Sequence, residues 1–241
     1  MRLDEELVRR GLSPSRSRAR DSILRGAVSV DGAPARKPSQ TVSGASEIAL
    51  ADPAGRYVAR SALKLAAALD AFGYDPAMRV ALDVGASTGG FTQVLLERGA
   101  ARVFAVDVGH GQLHESLARD PRIVAVEGVN ARDLTAEEVP EAVGFVAIDV
   151  SFISQRLVLP AVLALAAPGA LLVSLVKPQF EVGREAVGKG GIVRDAAAAR
   201  ASVEAVADAV RGLGWTVDGV IASPIPGGDG NAEYLLGARH G

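Results

Sequence analysis

Apolar positions recur along this chain with two different spacings, and the change from one to the other divides it. In residues 1–50, Leu3, Leu7 and Val8 share one helical face and Gly11 is placed to end that helix. Ser13-Pro14 reads as an N-cap followed by proline at the first helical position. It opens a second helix that carries Arg16, Arg18 and Arg20 early, turns Ala19, Ile23 and Leu24 inward, and closes at Gly26. Val28-Ser29-Val30 alternates as a short strand, Asp31-Gly32 is a hairpin-type turn, and Ile48-Ala49-Leu50 is another short strand. Residues 51–60, with Pro53 and Gly55, read as a linker.

Residues 61–241 alternate helix and strand. Helices are predicted over 61–72, 92–98 and, introduced by Asp195, over 196–211. Strands are predicted over 80–84, 103–106, 145–148, 217–222 and 233–237. Strands separated by helices predict an α/β fold with a mostly parallel sheet covered on both faces. The last two strands, joined without a helix, predict an antiparallel hairpin at its edge. Residues 183–191 form a glycine-rich loop in which Arg184 and Lys189, with Arg194 beyond, are placed to close over a site, to touch RNA, or only to connect elements.

Residues 157–176 are twenty consecutive uncharged, mostly apolar positions, long enough to cross a bilayer as one helix. Pro160 near the start and Pro168-Gly169 in the middle argue instead for a helix, a turn and a buried strand over 171–176. No membrane association is therefore expected. The N-terminus is charged from its second residue and lacks an apolar core, so no secretory signal is expected and the cytoplasm is the expected location.

The net charge of −2 conceals an asymmetry. Residues 1–60 hold 11 Lys+Arg against 7 Asp+Glu, and residues 61–241 hold 15 against 21. A basic front on an acidic body suggests an arm that binds a polyanion. Arg2, Arg16, Arg18, Arg20 and Lys37 are its candidate contacts, and residues 1–56 contain no aromatic residue. Phosphate contacts and the shape of folded RNA, rather than base stacking, are then the expected mode. With no cysteine, disulfides and cysteine-based metal sites are excluded, and no metal is expected.

The segment Asp83-Val84-Gly85-Ala86-Ser87-Thr88-Gly89-Gly90 follows a strand and opens a helix. Glycines there let a backbone turn sharply against a nucleoside ligand, as dinucleotide and S-adenosylmethionine sites both require. The dinucleotide fingerprint needs glycine at position 87, where this chain has Ser87, which disfavours a nicotinamide cofactor. Asp107 ends the second strand, where a carboxylate accepts hydrogen bonds from both ribose hydroxyls. Asn130 stands either at a third strand end facing the adenine or in an ordinary turn.

Four ionisable residues occupy apolar settings where an isolated charge is costly: Lys64, Asp149, Lys177 and Glu233. Asp149 and Lys177 fall at strand C-terminal ends, the edge where open α/β sheets bind ligands. The chain has just two other lysines, Lys37 and Lys189, so lysine at these positions is unlike surface filler. A hydroxyl nucleophile must be aligned with its electrophile and relieved of its proton, and a lysine whose pKa is lowered from ~10.4 can accept one.

The order Lys64, Asp149, Lys177, Glu233 resembles the Lys-Asp-Lys-Glu tetrad of FtsJ-like ribose 2′-O-methyltransferases. More closely, the chain resembles the TlyA family of ribosomal-RNA cytidine 2′-O-methyltransferases, long labelled haemolysins. The matching stretches include Leu7-Val8-Arg9-Arg10-Gly11-Leu12, residues 83–91, Asp149-Val150-Ser151-Phe152-Ile153-Ser154, Leu175-Val176-Lys177-Pro178-Gln179-Phe180-Glu181 and Gly230-Asn231-Ala232-Glu233-Tyr234. The resemblance implies an S4-like α+β RNA-binding domain over 1–50 and a class I Rossmann-like methyltransferase domain over 61–241. It also implies S-adenosylmethionine as cofactor and ribosomal RNA or a ribosomal subunit as partner. Lys177 would accept the hydroxyl proton, with Asp149, Lys64 and Glu233 orienting and tuning it. Two features depart from the family's pattern. Arg60-Ser61-Ala62 has serine where glycine is common, and the chain stops eight residues after Glu233, leaving both ribosomal subunits or the large one alone as targets. The rival readings are a membrane-active haemolysin and an RNA-binding protein with an inactive methyltransferase fold.

Overall fold

The computed structural model describes residues 1–52, 55–227 and 230–241, apart from the side chain of Arg184. Pro53 of the expected linker and the Arg184 side chain of the glycine-rich loop therefore lie outside the described residues. The chain forms two compact units, residues 1–56 and 57–241.

In the first unit, α1 (Leu3–Arg9) and α2 (Arg16–Leu24) pack on a three-stranded antiparallel sheet. Its strands β1 (Val28–Val30), β2 (Ala33–Pro34) and β3 (Ile48–Leu50) run in the order β2-β1-β3. Val30 pairs with Ala33 around Asp31-Gly32, both with positive φ, as a two-residue hairpin of this handedness requires. Leu3, Leu7, Ala19, Ile23, Val28 and Val30 supply most of the core. Two local expectations are corrected. The cap of α2 is Ser15, whose hydroxyl accepts from the Arg18 amide at 3.3 Å, so the helix begins two residues beyond Pro14. Leu24 points outward at 61% exposure, because Ile23 already fills the inward position of the last turn.

The second unit is a seven-stranded sheet flanked by helices. Its strands are β4 (Val80–Val84), β5 (Arg102–Asp107), β6 (Ile123–Glu127), β7 (Val143–Ile148), β8 (Ala166–Val176), β9 (Trp215–Ala222) and β10 (Tyr234–His240). Their order is β6-β5-β4-β7-β8-β10-β9, with β10 antiparallel to both β8 and β9 and the remaining pairs parallel. The expected hairpin is present, and it is the last strand that lies inside, between β8 and the edge. The helices are α3 (Ala62–Phe72), α4 (Gly90–Glu97), α5 (Glu115–Ala118), α6 (Leu159–Leu163), α7 (Pro178–Glu181) and α8 (Ala196–Gly212). Asp195 caps α8 by accepting from the amides of Ala197 and Ala198 at 2.8 and 3.1 Å.

The uncharged stretch holds α6 and all of β8. Pro168-Gly169 does not separate a helix from a strand; it lies inside β8. Val143 pairs with Ala166 and Phe145 with Leu171, so two steps on β7 oppose five on β8 and the excess bulges out around Gly169, whose φ is +75°. Among the described residues no helix is long and apolar enough to cross a membrane. The pattern of the sequence leaves β6 and α5 undelimited. β6 is an edge strand with no fully buried position, so its alternation is weak.

Apolar clusters cover both faces of the sheet, and fully buried Phe145 on β7 belongs to the one formed with α3 and α4. Phe145→Ala should cost about 3–5 kcal/mol of stability. Urea unfolding followed by Trp215, the single tryptophan and a buried residue of this unit, measures it.

Candidate functional site

The C-terminal ends of β4, β5 and β7 converge on one edge of the sheet. The chain leaving β4 turns at Gly85 with φ +85°, its amide bonded to Val106 O at 2.9 Å. A Cβ at Gly85 would lie 2.4 Å from Asp149 O, so glycine is required by both conformation and space. Ser87 adopts the left-handed conformation, φ +47°, and donates its amide to Asp107 Oδ2 at 2.8 Å. Asp107 Oδ1 accepts from the Gly109 amide at 2.8 Å. The carboxylate is thus fixed at the mouth of the turn while keeping lone pairs for a ligand.

A cavity of about 830 Å³ opens there, lined among others by Gly85, Ser87, Asp107, Asn130, Asp149 and Phe152. Asn130 also closes a turn, its Oδ1 accepting from the Arg132 amide at 3.1 Å, so it is at once a turn residue and a wall of the cavity. A smaller hollow of about 200 Å³ is lined by Gly85, Ala86, Ser87 and Thr88 together with Asp149, Ser151 and Lys177. Asp83, Gly89 and Gly90 line neither; Gly89 caps α4 and Gly90 is its first residue.

Asp83 is fully buried, with Oδ2 accepting from Thr92 Oγ1 at 2.6 Å and Oδ1 unpartnered. Burial pushes its carboxyl up to about 7, with the negative charges of Asp149 and Asp107 adding to the rise and the Thr92 hydroxyl opposing it. A glycine turn that leaves no room for a side chain, a strand-end carboxylate and a cavity of nucleoside-cofactor size fit S-adenosylmethionine. Among the described residues no cluster of three or more His, Cys, Asp or Glu could hold a metal ion.

The four ionisable candidates form two pairs. Lys177, following β8, places Nζ 2.7 Å from Asp149 Oδ1 and donates to Ser151 Oγ at 2.8 Å. The contact with Oδ1 is an ion pair without hydrogen-bond alignment. Lys64 on α3 and Glu233 before β10 form the second pair, almost completely buried. That pair lines neither cavity, whereas Asp149 lines both and Lys177 the smaller one.

Two residues beside them carry no role in the reading of the sequence. Ser151 is the hydroxyl partner of Lys177. Phe152 is 92% exposed at the cavity wall, has φ +64°, and sets its ring 5.1 Å from that of Phe180. Its signal along the chain is a lone aromatic between serine and isoleucine just beyond a strand.

In the first unit the basic candidates divide by partner. Arg2 and Arg16 both bind buried Asp4, and Arg16 also pairs with Glu5. Their charge is therefore partly compensated within the fold. Arg20 and Lys37 are exposed, and Arg18 is half-buried.

Residues 57–240 match the FtsJ-like methyltransferase family and residues 1–48 match the S4 domain. The 16S/23S rRNA (cytidine-2′-O)-methyltransferase TlyA of Mycobacterium tuberculosis is 52% identical over 99% of this chain and 89% of its own. Hemolysin A of Brachyspira hyodysenteriae is 38% identical over 98% of both. A solved structure of a provisionally named hemolysin from Streptococcus thermophilus superposes with a TM-score of 0.77 at 39% identity, covering 100% of this chain and 88% of that one.

The raised Asp83 carboxyl predicts a pH dependence of stability. Between 3.8 and about 7 the folded state holds a proton that the unfolded state has released. Its contribution is complete below 3.8 and is lost as pH rises to about 7. Denaturation midpoints across this window should fall less steeply with rising pH in Asp83→Asn, whose side chain does not titrate.

Proposed function

The chain belongs to the FtsJ-like methyltransferase family and carries an S4 domain ahead of that fold, and from this premise we infer that it methylates a ribose 2′-hydroxyl of cytidine in ribosomal RNA. The methyl donor is S-adenosylmethionine, whose sulfonium supplies an activated methyl group when bound. The observation that carries this reading is Lys177 Nζ, held between Asp149 and Ser151 in the hollow that the turn after β4 also lines.

Gly85, Ala86, Ser87 and Thr88 would seat the cofactor, with Gly89 and Gly90 allowing the turn to run into α4 behind them and Asp83 beneath. Asp107 would hold the ribose hydroxyls through a charge-assisted contact, and Asn130, in the wall of the same cavity, would hold the adenine. As a neutral amine, Lys177 would accept the 2′-hydroxyl proton at Nζ while the oxygen bonds to the methyl carbon and the methyl–sulfur bond breaks, with Asp149 and Ser151 holding that amine in place. Lys64 and Glu233, paired away from both hollows, shape the field in which Lys177 works. Phe152 offers a ring face at the cavity wall, the surface on which a base drawn out of an RNA stack can rest.

The S4 domain, residues 1–50, followed by a linker over 51–60, holds the folded RNA through phosphate contacts. Exposed Arg20 and Lys37 and half-buried Arg18 meet phosphates, and Arg2 and Arg16, held by Asp4, present guanidinium edges in a fixed orientation. The partner is a ribosomal subunit or its RNA, and the place of action is the cytoplasm.

Transfer of labelled methyl groups from S-adenosylmethionine to ribosomal RNA, with the marks mapped to a cytidine 2′-oxygen, tests the activity. Lys177→Ala should reduce transfer by about 10²–10⁴-fold while calorimetry finds the cofactor affinity nearly intact. Lys177→Arg should fail equally, because guanidinium remains protonated; robust transfer by this variant would make Lys177 an aligning group rather than a base. Phe152→Ala should cost about 1–3 kcal/mol in kcat/KM for RNA, read from the same assay under limiting RNA, with cofactor binding unchanged.

A further inference from the structure

Asp149 and Lys177 must keep their spacing across a gap where the sheet no longer joins their segments. The last pair between β7 and β8 is Ile148 with Ser174, one residue before Asp149 and three before Lys177. Beyond it, side chains replace the ladder. Glu181 Oε2 accepts from Ser154 Oγ at 2.6 Å, and Glu181 Oε1 accepts from the Gln155 amide at 2.7 Å. Gln155 Nε2 donates to Leu175 O at 2.6 Å, and the Ser174 hydroxyl donates to Gln155 Oε1. The Arg156 guanidinium stands 3.6 Å from Glu181 Oε2. Glu181, Gln155 and Ser174 are all buried.

We propose that Glu181 is a positioning residue for methyl transfer: its carboxylate latches the segment carrying Asp149, Ser151 and Phe152 to the helical turn that begins beside Lys177. The proposal rests on the assignment of Lys177 as proton acceptor. Glu181 ends α7, whose first residue follows Lys177 directly, and the Phe180 amide bonds to Lys177 O at 2.9 Å. Both ends of the latch are therefore short and stiff. A displacement of Ser154 or Gln155 is carried to Ser151 within four residues.

Burial pushes the Glu181 carboxyl pKa up, while the Ser154 hydroxyl and the Gln155 amide oppose that rise. A buried carboxylate is an expensive way to join two loops that apolar side chains could also join. What it adds is direction, since two donors from one segment converge on two oxygens of another. An aligned acceptor and nucleophile are sensitive to shifts of about 1 Å, which can cost about 100-fold in rate.

The test uses the full chain, ribosomal RNA and S-adenosylmethionine, comparing Glu181→Ala, Glu181→Gln and Lys177→Ala. Glu181→Ala should lower kcat by about 10–100-fold with the KM for RNA and the calorimetric cofactor affinity within about threefold. Glu181→Gln keeps an acceptor for the Gln155 amide and a polar partner for Ser154, and should recover most of the rate. Full activity of Glu181→Ala alongside an inactive Lys177→Ala overturns the latch and leaves the proton-acceptor assignment standing. Equal loss of rate, cofactor binding and melting temperature in both Glu181 variants makes the residue structural and also overturns the latch. An active Lys177→Ala overturns the proton-acceptor reading itself, and the latch with it.

Discussion

The approach of two backbones, at Gly85 and Asp149, is the constraint on which the methyltransferase unit depends. β4 and β7 are parallel neighbours paired as far as Val84 and Ile148, and the Asp149 amide bonds to Val84 O at 2.8 Å. The chain leaving β4 must then bend at once, because any side chain at position 85 would strike the Asp149 carbonyl. One contact therefore sets the glycine turn, the edge of both hollows and the root of the acid that pairs with Lys177. Strand register propagates this: a slip by one residue would exchange the faces of β4 and bury Ala81 and Asp83 where Leu82 and Val84 belong.

Around that contact the unit departs from an apolar interior at a few chosen points. Asp83 is buried with one hydroxyl partner and is held near neutrality by its surroundings. Lys64 with Glu233, Lys177 with Asp149, and Glu181 with its donors are placed against large hydrophobic clusters on both sheet faces. Burying ions rarely improves stability, since desolvation offsets most of the attraction between them. Their concentration at one edge of the sheet accords with a site whose electrostatics must be fixed before the substrate arrives.

The first unit uses carboxylates in another way. Asp4 and Glu6 on α1 are both buried, and each holds two arginines: Arg2 and Arg16 on Asp4, Arg9 and Arg10 on Glu6. The Glu6 carboxyl is held down at about 2 by those guanidiniums. The positive balance of this segment is thus partly spent inside the fold, and orientation of the remaining N–H groups matters as much as formal charge.

Elements governed by local chemistry were readable from the order of residues alone. An apolar run followed by Asp83 and a glycine cluster must be a strand and a tight turn, because little else accommodates that spacing. Asp195 before an alanine-rich run marks a helix start, and Asp31-Gly32 a hairpin, since each needs only neighbours within a few residues. Lys177 and Asp149 were legible as strand-end charges for the same reason. Only tertiary structure decided that Lys64 meets Glu233 across 169 residues, that the last strand inserts beside β8, and that the pair lies apart from the hollows. It also decided that Ser15 rather than Ser13 caps α2, that Asp4 claims Arg2 and Arg16, and that Phe152 is left in solvent. A local pattern fixes which face of an element is apolar, but the partner of a buried charge depends on which elements the chain brings side by side, and that is a property of the whole topology.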